Sequence, residues 1–207
     1  MKHLNTYITE YIIKKKLDKP IDSEYKYHPQ TKEELIENIK ELLYKKENDL
    51  NCIDTSTITD MSFLFLNINV IIDNIDVSNW DVSNVINMEG LFNNCKKFNC
   101  DLSKWDVSNV KDMSYMFYNC GNFDCDLSNW DVSKVENMYT MFEGCSKFKG
   151  KGLENWDVSK VESISYMFFD CINFDCDLSN WNVNNVKNMK RMFYNCNLKN
   201  TPKWYKE

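Results

Sequence analysis

Histidine is almost missing from this chain, and the two that occur, His3 and His28, stand outside its periodic part. The C-terminal three quarters therefore hold no histidine to act as general acid, base or metal ligand. Glycine is scarce too: none of the five belongs to a phosphate-cradling loop or a nucleophile elbow, which removes two common signatures of enzymes. Positive charge is in deficit, with 25 Lys and Arg against 31 Asp and Glu and a net charge of -6. A phosphate backbone is thus excluded as the main partner, because nucleic-acid binding relies on a basic patch that displaces counterions. Long apolar runs are also lacking. The first residues, MKHLNTYITEYIIKKK, alternate polar and apolar groups and do not form the apolar segment of a signal peptide. No stretch approaches the ~20 apolar residues of a membrane span. The expectation is a chain that stays in the cytosol or leaves it without a cleaved signal.

What the chain does have is a period. Trp80, Trp105, Trp130, Trp156 and Trp181 return at intervals of 25, 25, 26 and 25 residues, each inside a near-copy of DLSKWDVSNVKDMSYMFYNCGNFDC, the stretch from Asp101 to Cys125. A fixed period of this length signals units that cannot bury an apolar face alone and stack on their neighbours. Val82, Val107, Val132, Val158 and Val183 form one column; Phe92, Phe117, Phe142, Phe168 and Phe193 form another. Phe98, Phe123, Phe148 and Phe174 supply an opposite wall. The run D-L-S-x-W-D-V-S alternates like a strand, and V-x-x-M-x-x-M-F-x-x-C has helical spacings. The predicted fold is an α/β repeat solenoid, with coils of about 25 residues laying short parallel strands side by side and short helical turns on the return, capped by N-terminal α-helices.

Three regions follow. Residues 1–52 are the helical cap: a helix over about 3–17, an extended linker around two prolines, and a helix over about 31–46 opened by the capping box of Thr31 and Glu34. Residues 53–198 hold about six repeats, the first degenerate and carrying an insertion between Leu66 and Asn74. Residues 199–207 are a tail or C-terminal cap.

Nine cysteines invite a disulfide framework until their phase is read. Cys95, Cys120, Cys145, Cys171 and Cys196 share one repeat position, Cys100, Cys125 and Cys176 share a second, and Cys52 stands alone. Odd number and strict periodicity favour small buried thiols, with bridges between like cysteines of stacked coils as the oxidising alternative. C-x4-C is not a zinc-pair spacing. Asp124, Asp126, Asp131, Asp175 and Asp177 raise calcium as a ligand, against the simpler reading that they cap turns through backbone amides; the replacement of Asp and Ser by Asn182 and Asn184 favours the turns. No cofactor is expected.

The segment DLSNWDVSKVENMYTMFEGCSKF, Asp126 to Phe148, closely resembles the BspA-like surface-protein repeats, a group related to leucine-rich repeats and found in bacteria, their phages and some protists. The resemblance covers roughly residues 53–198, with Trp, paired Val, M-x-x-M-F and Cys all in phase. It implies adhesion or protein binding without catalysis. Many relatives are secreted or lipid-anchored; the lack of a signal here instead gives the expectation of a place in the cytoplasm, or in a virion or host cell if the chain is phage-encoded. Cell-surface attachment fits less well, because no signal precedes the repeats.

Recognition has to come from positions that vary while the core repeats. The residues within M-x-x-M and F-x-x-C do vary, and the interface-prone types among them are Tyr115, Tyr118, Tyr139, Glu143, Tyr166, Phe169, Arg191 and Tyr194. Stacked coils would line these into one stripe, presented to a protein partner whose identity the sequence does not give. A structural or adhesion subunit of a larger assembly is the alternative, and partly buried tyrosines with no partner at all are the bland one.

Overall fold

The computed structural model describes residues 25–66, 68 and 74–206. The helix expected over 3–17 and most of the insertion after Leu66 lie outside the described residues. The second expected helix forms as α1, Lys32–Tyr44. The Thr31 side chain accepts from the Glu34 amide at 3.2 Å, and the Glu34 carboxylate in return accepts from the Gln30 amide at 2.7 Å, closing the capping box one residue early. Leu35, Ile39, Leu42 and Leu43 are buried beneath it. Lys32 ties the helix to the first coil through Asp60 at 3.2 Å and the Ser62 hydroxyl at 2.7 Å. Just before α1, Tyr27 makes a parallel bridge with Ile53. The helix and this segment together shield the apolar end of the stack from water.

Each coil is a succession of four-residue turns. In one complete coil the amides of Trp105, Val110, Met116, Cys120 and Phe123 bond to the carbonyls of Leu102, Val107, Met113, Phe117 and Cys120, at 2.9–3.3 Å. Every such turn begins and ends on an apolar residue, so a spacing of three aims both inward. Aspartates set the entry to these turns: Asp101, Asp106 and Asp112 accept the amides of Ser103, Ser108 and Ser114 at 2.9, 3.0 and 2.8 Å. This is the Asx turn, in which a short side chain mimics a backbone carbonyl. Two residues per coil are left-handed: Tyr115 at φ 56° within M-x-x-M and Asn119 at φ 57° within F-x-x-C, with the equivalent residues alike in the neighbouring coils.

Those two positions overturn the α/β expectation. A helix needs an unbroken run of right-handed residues and a strand an unbroken extended run, and the left-handed residues interrupt both. Among the described residues there is one α-helix, a three-residue 3-10 turn at Leu153–Asn155, and isolated parallel bridges in place of strands. The bridges pass from Asp60 through Asn87, Asp112, Asn137 and Ser163 to Asn188, one per coil. Alternate amides on the following arc then bond along the stack: Met88, Gly90, Phe92 and Asn94 donate to the carbonyls of Asp112, Ser114, Met116 and Tyr118. Just before the bridge the direction reverses, with Lys111 donating back to Ile86 and Glu136 back to Lys111, both at 2.8 Å. The neighbouring coils are therefore joined by backbone hydrogen bonds without forming a sheet.

Equivalent side chains lie directly over one another inside. Phe92, Phe117, Phe142, Phe168 and Phe193 stack at 5.5–5.8 Å with planes within 14°. The second phenylalanine of each coil is no opposite wall, because Phe98, Phe123, Phe148 and Phe174 lie 3.9–4.3 Å from the first, ring on ring. Offset aromatic pairs of this kind add about 0.5–1.5 kcal/mol each beyond their buried area. Tryptophans form the adjoining column and clamp the coils: the indole nitrogens of Trp105, Trp130 and Trp181 donate to the carbonyls of Val77, Leu102 and Leu153 of the previous coil at 3.0, 3.1 and 2.8 Å. The first coil reaches back to Asp49, which bridges Asp76, while the Leu50 carbonyl receives the Trp80 indole at 2.9 Å. At the other end Trp204, in the tail, occupies the next rung by donating to Leu178 at 2.9 Å and stacking on Trp181 at 6.3 Å.

Candidate interaction face

The stripe residues are set by backbone, not by a helix. The second residue of M-x-x-M is left-handed in every coil, successively Phe63, Gly90, Tyr115, Thr140, Tyr166 and Arg191, with φ between 49° and 58°. Left-handed backbone is uncommon outside Gly, Asn and Asp, and for β-branched Thr140 it is a strained choice. Gly90 answers a local need, since a Cβ there would come within 2.4 Å of the Phe63 ring.

Seven of the eight predicted site residues form one continuous run of contacts. Tyr118 meets Tyr115 edge-on at 6.0 Å, Tyr115 meets Tyr139 at 5.2 Å and Tyr139 meets Tyr166 at 6.1 Å. Tyr166 then leads to Phe169 at 5.7 Å, Phe169 stacks on Tyr194 at 4.9 Å, and Arg191 covers the Tyr194 ring at 5.8 Å. The run zigzags, because Tyr139 comes from the first variable position of its coil, and Tyr115 and Tyr166 from the second. All but Arg191 and Tyr194 are half-buried; Tyr194 is 53% exposed. Glu143 stands beside the run without a ring to stack, and its carboxyl is pushed up by burial and by Asp170, with Thr140 acting the other way. Burial, the Tyr139 hydroxyl and the Glu143 and Glu89 charges push the Tyr115 hydroxyl up to about 12, so it stays a protonated donor at neutral pH.

Flanking carboxylates were not singled out in the sequence. A shallow hollow of about 520 Å³ lies between Tyr115, Tyr139 and the side chains of Glu89, Glu136 and Glu162. Lys111 reaches Glu136 at 3.9 Å and Lys187 reaches Glu162 at 2.8 Å. Burial, Asp112 and Asp60 push the Glu89 carboxyl up, only partly offset by Lys32. Glu89 shares its column with Tyr139, and Glu136 and Glu162 stand in the varying column just before the bridge, so reading every varying column by charge finds them.

The remaining chemistry is structural. All nine cysteines are free thiols. Cys120, Cys145 and Cys171 donate to the carbonyls of Phe92, Phe117 and Phe142 at 2.9–3.0 Å. Burial raises these three thiols well above the ordinary cysteine range and Cys95 to about 12, which keeps the reactive thiolate from forming. The five aspartates weighed for calcium are engaged elsewhere: Asp124 holds Lys149 at 2.7 Å, Asp126 holds Lys151 at 2.6 Å, Asp175 pairs with Lys199, and Asp131 and Asp177 close Asx turns with Ser133 and Ser179. A calcium ion would have to replace those lysines. The five in-phase tryptophans, Trp80 to Trp181, are 2–5% exposed and offer no platform for a sugar ring. Among the described residues no group of three or more His, Cys, Asp or Glu is placed to hold a metal, and no helix is long and apolar enough to cross a membrane.

Compared with known families, the chain matches the model described as "Mycoplasma protein of unknown function, DUF285" over residues 33–153 and again over 122–205. No curated protein and no solved structure matches it.

Proposed function

The chain belongs to the DUF285 family of Mycoplasma proteins of unknown function, and we propose that it is a non-enzymatic protein-interaction module whose binding face is the aromatic run from Tyr118 to Arg191. One observation carries this reading: the columns inside the stack repeat their residue type from coil to coil, while the adjoining outer columns vary and place Tyr, Phe and Arg in mutual contact. Side chains already ordered by their neighbours lose little entropy on binding, and Tyr and Arg dominate the energetics of protein interfaces. The resemblance of the repeat to BspA-like sequences points to the same class of activity. Thiols kept protonated by burial and aspartates committed to turns support a role without catalysis.

The test is affinity capture from lysate of the source organism with the wild type and with a Tyr115→Ser, Tyr139→Ser, Tyr166→Ser triple variant, read by quantitative mass spectrometry. Proteins held by the wild type should be depleted at least about tenfold on the variant, the scale of losing a hot-spot tyrosine. A control variant, Asn109→Ser, changes an exposed side chain outside the run and should retain them. Equal retention by the triple variant and the wild type would reject the face.

A further inference from the structure

Five successive coils carry, at the first variable position of M-x-x-M, the residues Glu89, Ser114, Tyr139, Ser165 and Lys190, the two serines buried and the other three reaching the surface. Read from either end about Tyr139, the order is the same except that the outer members carry opposite charges. The second variable position gives Gly90, Tyr115, Thr140, Tyr166 and Arg191, again symmetric about its centre apart from the ends. In the column just before the bridge, Lys111 and Glu162 stand equally far from the central coil and are opposite in charge. In the F-x-x-C column Tyr118 and Phe169 are likewise equidistant.

We propose that the partner of this face is a second copy of the chain, docked antiparallel about a two-fold axis that crosses the stripe at Tyr139; the inference rests on the stripe being the binding face. An axis lying in the interface and perpendicular to the stack keeps each column against itself and reverses coil order. Glu89 then faces Lys190, Lys111 faces Glu162 and Tyr115 faces Tyr166, each contact occurring twice, as an isologous interface requires. The charges at the two ends are available for this. Glu89 and Lys190 make no ion pair with each other or with another residue among the described ones, and Lys190 is exposed. A parallel arrangement would set Glu89 on Glu89 and Lys190 on Lys190, and like charges select against it. Glu143 and Glu136 meet their own copies near the axis; Lys111 lies 3.9 Å from Glu136, whereas the local repulsion at Glu143 is one that an uncharged residue would relieve. Coils joined by parallel bridges rise about 4.8 Å each, so the five span only about 20 Å, and the dimer belongs to the small, readily dissociating class.

Sedimentation equilibrium of the full chain, from about 1 µM to about 1 mM as weak association demands, should show a monomer and dimer in exchange. Glu89→Lys or Lys190→Glu alone should weaken the dimer at least about tenfold, because each places two like-charge pairs across the interface. The double variant Glu89→Lys with Lys190→Glu should return to within about threefold of wild type, since both pairs are restored in reverse. Glu143→Gln should strengthen association. Tyr139→Cys should form a disulfide-linked dimer on mild oxidation, while Asn109→Cys, outside the run, should not. A chain that stays monomeric throughout, or a double reversal as weak as the single changes, overturns the proposal. If the chain is monomeric and the triple tyrosine variant still loses its captured proteins, self-pairing fails and the interaction face stands. If capture is unaffected as well, both fall.

Discussion

The hydroxyl of Ser114 donates to the Asp112 carboxylate at 2.6 Å, whereas the equivalent Ser165 hydroxyl, one turn after Ser163 instead of an aspartate, is buried without a hydrogen-bond partner among the described residues. A serine side chain at 163 is one atom too short to stand in for the carboxylate. Ser114→Ala should therefore destabilise the protein by about 1 kcal/mol, while Ser165→Ala should be neutral or stabilise by a similar amount, because it removes an unsatisfied buried group. Paired urea titrations measure the difference, and equal losses at the two sites would refute it.

Aromatic stacking should be most costly to interrupt at the middle of the chain. Phe142 is fully buried between Phe117 and Phe168, whereas Phe193 is half-buried in the last coil. Phe142→Ala should cost about 3–5 kcal/mol and Phe193→Ala clearly less, by chemical denaturation.

Trp130→Phe keeps a ring in its column but removes the donor to the Leu102 carbonyl, which retains its turn bond from Trp105. A loss of about 1–2 kcal/mol is expected, from one hydrogen bond and some packing. The same change at Trp204, partly exposed at the stack's end, should cost less.

Thiol labelling should follow burial. Cys52 is half-buried, while Cys120, Cys145 and Cys171 are fully enclosed. At mildly alkaline pH iodoacetamide should modify Cys52 in the native state well before these three, which should react only on unfolding. Peptide mapping of a time course reads the order directly.

Acid stability has a defined sign. The Lys151 ammonium and the Ser128 hydroxyl and amide hold Asp126 down to about 2, and turn bonds lower Asp101, Asp106, Asp131, Asp157 and Asp177 as well. A depressed carboxylate stabilises the fold above its unfolded pKa and loses that contribution as pH falls through the folded one. Glu89 and Glu143 have raised values, so their protonation near the upper carboxylate range favours the fold instead. Thermal stability should hold or rise slightly as pH drops towards about 5, then fall between about 4 and 2. A steady decline beginning at neutral pH would contradict this.

Much of the interior was legible because stacking demands residue identity at fixed phase: the Val, Met, Phe, Trp and Cys columns are visible as letters. The path of the backbone was not. Apolar residues three apart suit a helix and a chain of four-residue turns equally, and only the left-handed residues decide between them. Asn94, Asn119 and Gly144 advertise that conformation; Tyr115, Thr140 and Tyr166 do not, because the ladder of neighbouring coils imposes it. Trp204 is off phase because its turn runs from Pro202 to Tyr205 and the indole comes from one residue before the turn's end, 23 residues after Trp181, and Asp49 is hidden because Ile53 stands in place of tryptophan. The candidate stripe was found from variation alone, yet its zigzag contacts join different repeat positions, which a column-by-column reading does not pair.

The left-handed site within M-x-x-M bears Phe, Gly, Tyr, Thr, Tyr and Arg in six consecutive coils without altering the ladder beneath it. Frame and vocabulary are thereby largely separate: one set of letters keeps the molecule folded while the other varies, within limits such as the one the Phe63 ring sets on Gly90. A lineage could exchange a handful of outer side chains, or lengthen the stack by duplicating a whole unit, without redrawing the path of the backbone.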